Sequence, residues 1–350
     1  MGNRVDQFED GPSSPPTRGG GAVAETSADL FRAALAGTPG SRPPVLFTGG
    51  AWVGRLSGLP RDRLLNDAGA LVEAQRAAHG LVGQDVLFAY FDPLFVPEAY
   101  GCGLRFLETG PLVEPQPFER IAGRAPRVDD GRLPVVLEAI SGLAEYGDGR
   151  IPVGTLIEGP FTTLARIVDA EVVLRLTIKE PQALEDALAR VGDLLVDFVR
   201  AAAQAGADFV IVADPVASAT MISGAMYRRF ALPPQQRLFA EARVPVILHI
   251  CGDTRPVLPL MAESGAAALS IDQCMDLRAA RSSIGDTCAL AGNVDPMTLL
   301  TGTPDQVTEE TRAVAAAGGE RRYLLMPGCG VPPQTPVENV VAMVAAVVSG

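Results

Sequence analysis

The chain has 350 residues, 47% of them hydrophobic, enough for one large core of the size that α/β barrels reach as a single domain. Its net charge of −12, with no basic patch or stripe to neutralise phosphates, argues against nucleic-acid binding. No apolar run approaches the roughly 20 residues that span a bilayer, and five cysteines without an apolar leader point to a reducing cytoplasm where thiols bind metals or stay buried.

Residues 1–25 are Gly, Pro, Ser and charge without apolar periodicity, and are expected to form a disordered tail ahead of one domain at 26–350. Helical and strand patterns then alternate. A short helix over 28–37 and a strand over 44–50 precede an amphipathic helix over 63–82, expected to end at Gly80, and a strand at 85–91. A Pro-rich excursion (111–128) leads to a helix at 133–147 and a strand at 151–157. The pattern continues with strands at 209–215, 244–250, 268–272, 288–295 and 323–329, separated by helical stretches. Thr335-Pro336-Val337-Glu338 reads as a capping box that opens a buried terminal helix. Seven or eight β-then-α units without a nucleotide-binding glycine fingerprint predict a (β/α)8 TIM barrel, single domain, over a doubly wound sheet.

The most informative residues are His249 and Cys251, in VPVILHICGD, and Cys329, in YLLMPGCGVPPQTP. A His and a Cys two apart on a strand face the same way, with Cα atoms about 6.5–7 Å apart. Each lies where an apolar run ends, the edge at which α/β barrels place their chemistry. A buried His and Cys alone would be ordinary core residues. Cys329 between two glycines is a poor packing position and a good one for close approach. Three N/S ligands leave a fourth tetrahedral position open, the arrangement of a catalytic Zn2+ site.

GPFTTLA (159–165), ADPVASATMISGAMYRRFALP (213–233), HICGD (249–253), SIDQCMDL (270–277), ALAGNVDP (289–296) and GCGVPPQTPVEN (328–339) occur in the order found in the uroporphyrinogen decarboxylase superfamily. Over about residues 30–349 the chain resembles the zinc-dependent branch of methylcobamide:coenzyme M methyltransferases. That resemblance implies transfer of a methyl group from a methylated corrinoid to a small thiol such as coenzyme M. The metal would lower the pKa of the incoming thiol while two cysteinates keep its sulfur electron-rich. His79 and His249 are the only histidines, and neither lies in an Asp-x-His-x-x-Gly motif that supplies a lower cobalt ligand. The methylcobalamin-type corrinoid is therefore expected on a separate corrinoid protein docking over the barrel mouth. The same reading allows a homodimer.

Two rivals stand beside it. Similar decarboxylases carry a Met-Arg-Gln-Ala-Gly-Arg run after the first strand, where this chain reads FTGGAWVGR with only Arg55 nearby, and a His where Cys329 stands. Asp92 is the retained decarboxylase aspartate, and one carboxylate without a cationic clamp is poorly suited to a many-armed acidic tetrapyrrole. A non-catalytic corrinoid-partner module is opposed by the intact ligand set. Asp92, Asp214, Asp272 and Asn293, at predicted strand ends, either line the substrate site or serve as caps and loop ties, and Glu158 is expected to approach the metal. Cys102, Cys274 and Cys288 read as packing residues. An Arg-rich composition with Lys179 as the only lysine points to a GC-rich genome and leaves the acceptor open to thiols other than coenzyme M.

Overall fold

The computed structural model describes residues 25–107 and 110–348. The expected tail lies outside them except for Glu25, whose carboxylate accepts the Ser41 N–H. A seven-stranded parallel sheet runs β1 (Leu87–Phe88), β4 (Val153–Glu158), β5 (Phe209–Ala213), β6 (Val246–Ile250), β7 (Ala268–Ile271), β8 (Ala289–Val294) and β9 (Tyr323–Pro327) in spatial order. A separate antiparallel hairpin, β2 (Gly103–Leu107) with β3 (Gly110–Glu114), sits between β1 and β4 in the chain. The sheet curls towards itself through residues 44–46. Val45 bridges Leu325, the Leu46 N–H donates to Leu325 O, and the Asp85 N–H at the foot of β1 donates to Val45 O.

Alternation along the strands sorts the core into two sets. Leu46, Val86, Phe88, Phe209, Ile211, Ile247, Ala268, Ala289, Leu324 and Met326 form one buried cluster on the concave side. Their neighbours, such as Leu87, Val210, Leu248, Leu269 and Leu325, pack outward against the helices. Period two in the sequence thus becomes inside and outside of a curved sheet. Gly154 fits the concave side because a Cβ there would come within 2.4 Å of the Phe209 ring.

Several expectations change in detail. The 44–50 strand contributes one bridge, and Gly50 already opens a helix, Gly50–Ser57. The 63–82 helix is two, Arg61–Asn66 and Ala68–Val82, because Asp67 leaves the helical conformation to cap the second by accepting the Ala70 N–H. It ends at Gly83, whose φ of +74° suits a left-handed C-cap, while Gly80 remains helical. The capping box at 335–338 is absent: the terminal helix is Val337–Val348, and Thr335 Oγ1 is buried without a hydrogen-bond partner among the described residues. The Pro-rich excursion carries the unforeseen β2–β3 hairpin. Cys102 and Cys288 are buried as expected, whereas Cys274 is exposed.

The excursion is tied down by a buried ion pair. Arg132 donates to both Asp92 oxygens, at 2.8 and 3.2 Å, and its Nε to Glu98, while Asp92 Oδ1 also accepts the Leu94 N–H. Removing one partner of such a pair strands the other charge. Arg132→Met is therefore expected to destabilise the fold by about 3–5 kcal/mol, with much of that recovered in the Arg132→Met/Asp92→Leu double variant. Urea denaturation of the three proteins checks this, and an equally unstable double variant would contradict it.

Candidate metal centre

His249 is the fourth residue of β6 and pairs in register with Ala213 on β5 and Ser270 on β7. Ser270 Oγ lies 3.0 Å from His249 Nδ1 and holds the imidazole so that Nε2 faces Cys251 Sγ, also at 3.0 Å. Cys251 is one residue past the strand and keeps its facing. Cys329 arrives from the turn after β9, with 3.6 Å between the two Sγ atoms. The three donor atoms lie within 4.8 Å of one another. Tetrahedral zinc with bonds of about 2.3 Å to sulfur and 2.0–2.1 Å to nitrogen needs edges of about 3.8 and 3.5 Å; the His249–Cys251 and Cys251–Cys329 edges, at 3.0 and 3.6 Å, lie within about half an ångström of those values.

The electrostatics agree with this chemistry. The Cys251 S–H directed at Cys329, together with His249, holds the Cys329 thiol well below the usual thiol range, and the same contact and burial push Cys251 up. The pair therefore shares a negative charge beside the imidazole. A cation is the natural partner.

The trio opens into a cavity of about 240 Å³ at the carboxyl ends of the strands, walled mainly by Phe47, Leu156, Ile211 and Met326. Of the other expected site residues only Glu158 lines it. Glu158 is buried; its Oε1 accepts from Arg166 Nε at 3.0 Å and its Oε2 has no hydrogen-bond partner among the described residues. Burial pushes its carboxyl up to about 7, with Arg166 opposing.

Asp92, Asp214, Asp272 and Asn293 do not line the cavity; they hold the backbone around it. Asp214 is fully buried, accepting the Thr162 N–H at 2.7 Å and Gln235 Nε2 at 2.8 Å, which fixes the start of helix Pro160–Val168 over β5. Asp272 accepts the Gly252 and Cys274 N–H groups, clamping the turn after Cys251 to the turn after β7. Asn293 donates to the Asp272 and Met275 carbonyls. Gly328 lies so close to that turn that a Cβ would come within 2.3 Å of the Gln273 nitrogen, so glycine is what lets Cys329 reach the site. Asp92 is taken up by Arg132.

Sequence reasoning missed Tyr90, Ser270 and Arg166. Tyr90 lines the cavity, and burial raises its phenol, keeping an O–H there. Val86, Phe88 and Tyr90 share one alternation, a signal that was available. Ser270 is visible only once the β6–β7 register is known.

The family profile described as Uroporphyrinogen decarboxylase (URO-D) matches residues 26–349, and the chain belongs to that family. Among curated relatives, a methylcobamide:CoM methyltransferase of Methanosarcina acetivorans is 31% identical, covering 90% of this chain and 95% of its own. A methylated-thiol–coenzyme M methyltransferase of Methanosarcina mazei is 32% identical over 80% of this chain and 77% of its own. The solved structure of a methyltransferase from Methanosarcina mazei superposes with a TM-score of 0.85 at 31% identity, over 92% of this chain and 98% of that one.

Glu158 gives a pH signature. With its carboxyl at about 7 in the folded chain against an ordinary 4.5, the folded protein holds an extra proton between those values. Stability of the metal-free protein should therefore fall as pH rises from 4.5 to 7, on the order of 3 kcal/mol from this group. Glu158→Gln should remove that slope. Denaturant titrations at pH 5 and 8 check it, and identical slopes in the two proteins would contradict it.

Proposed function

We propose that this protein transfers a methyl group from a methylated corrinoid, carried by a separate corrinoid protein, to a small thiol, with Zn2+ held by His249, Cys251 and Cys329. The observation that carries this reading is the convergence of three N/S donors at the rim of a small apolar cavity. The relatives named as methylcobamide:CoM methyltransferases support it. We take the seven strands together with residues 44–47 as a (β/α)8 barrel, whose carboxyl-terminal mouth is where a corrinoid protein would dock.

The chain's residues divide the work. His249, Cys251 and Cys329 supply one neutral and two anionic donors and leave a position for the acceptor. Ser270 fixes the imidazole, Asp272 holds the turn after Cys251, and Asn293 holds the Asp272 turn against which Gly328 rests. When bound, zinc supplies Lewis acidity that makes a thiol ionise at neutral pH. The apolar wall keeps water from the thiolate, leaving its lone pair available. Its sulfur would take the methyl group from the corrinoid substrate, the C–S bond forming as the methyl leaves its donor and the donor keeping that bond's electron pair. The thiol proton leaves to solvent.

The decarboxylase alternative fits less well. Its retained carboxylate, Asp92, is bound by Arg132, and a cavity of about 240 Å³ falls below the range that holds even drug-sized ligands.

Purified protein should carry about one zinc per chain, and Cys329→Ala should lose most of it, since two ligands hold zinc poorly. Full occupancy in that variant, by metal analysis, would remove the proposed centre. The zinc-loaded protein should methylate a small thiol from free methylcobalamin with proton release, and chelation or His249→Ala should abolish transfer while leaving the fold largely intact. Carbon dioxide release from a porphyrinogen acid, indifferent to chelator and without methyl transfer to any small thiol, would replace this reading with the decarboxylase one.

A further inference from the structure

The cavity beside the trio is unevenly equipped. No Lys or Arg side chain lines it among the described residues, and most of its wall is apolar. One buried acid stands across from the metal ligands. Glu158 pairs with Ala213, and Ala213 with His249, so acid and imidazole share one register row across three strands. Their Cα atoms are therefore about 9.5 Å apart, with only a methyl group between them. Leu156 and Glu158, two apart on β4, both face the cavity.

Glu158 is 3% exposed, and its Oε2 is buried without a donor while Oε1 is held by Arg166. Buried carboxylate oxygens are nearly always satisfied, because leaving one unpaired forfeits its hydration for nothing. Asp92, Asp214 and Asp272, the other buried acids at these strand ends, all use both oxygens. Of these four acids Glu158 alone keeps a buried oxygen without a hydrogen-bond partner among the described residues, and its side chain lines the cavity that holds the trio.

We propose that Glu158 selects the acceptor by receiving its tail: the thiol is a short one, two or three carbons long, ending in an ammonium group rather than a sulfonate or carboxylate. This inference rests on the reading of the site as a thiol methyltransferase. A thiol whose sulfur sits at the trio reaches towards β4 across Ala213, and an ammonium N–H would satisfy Oε2. Above about pH 7, where Glu158 is ionised, an anionic tail would meet the carboxylate and find no lining cation among the described residues to offset it.

Three thiols with the same two-carbon spacing separate the possibilities: cysteamine, 2-mercaptoethanol and 2-mercaptoethanesulfonate. Binding to the zinc-loaded protein is measured calorimetrically without methyl donor, and methyl transfer from methylcobalamin is followed separately. Cysteamine should bind at least about tenfold more tightly than 2-mercaptoethanesulfonate, with 2-mercaptoethanol between them and the same order in kcat/KM. Glu158→Gln, verified by zinc content and circular dichroism, should collapse the ratio between the two charged thiols. A wild-type preference for the sulfonate overturns the proposal whether or not the variant folds, and so does an ammonium preference that survives in folded Glu158→Gln. Ammonium-selective binding without methyl transfer to any of the three would support the tail selectivity while removing the methyltransferase reading beneath it.

Discussion

Parallel pairing of Ala213, His249 and Ser270 across β5, β6 and β7 is the constraint from which the site follows. Parallel ladders space their hydrogen bonds evenly, so side chains in one row keep a fixed separation and facing. That row brings a hydroxyl to one imidazole nitrogen and leaves the other turned towards the sulfurs. It also sets Glu158 two strands away with a small residue between. A one-residue slip in β6 would turn His249 outward into the helical layer and dissolve the centre.

The strand ends then extend this order into the loops. Asp272 reaches back from the turn after β7 to hold Gly252, Asn293 reaches from β8 to hold the Asp272 turn, and Gly328 rests on Gln273. The two cysteines belong to turns far apart in sequence: side-chain-to-backbone bonds locate the one that follows Cys251, and the Gly328 N–H to Val294 O with close approach to Gln273 locates the one that carries Cys329. Soft turns could not keep two thiols 3.6 Å apart unaided. Buried amide and carboxylate groups therefore do here what packing does in the core.

A polar residue at a barrel strand end invites a catalytic reading, and burial shows why that reading often fails. A buried carboxylate must find donors, and the nearest are the N–H groups of the turn that follows it. Asp92, Asp214 and Asp272 found theirs within the chain. Glu158 found a donor for only one of its oxygens among the described residues, and its side chain lines the cavity rather than holding a loop.

Much of the architecture was legible in the sequence because its physical basis is local. Alternating apolar residues mark strands, and repeated β-then-α units imply a parallel sheet. His249 and Cys251 share a face by spacing alone, and glycines on both sides of Cys329 mark a close approach. What the sequence left open depends on residues far apart in the chain. That 44–46 joins β9 and the foot of β1 with a single bridge, that Arg132 neutralises Asp92, and that Ser270 lies beside His249 are all matters of which strands become neighbours. The sequence by itself determined the strand pattern and the imidazole and thiol chemistry of the trio; the tertiary structure decided which acids were already satisfied, because a hydrogen-bond partner is chosen by distance in space and carries no mark in the local pattern.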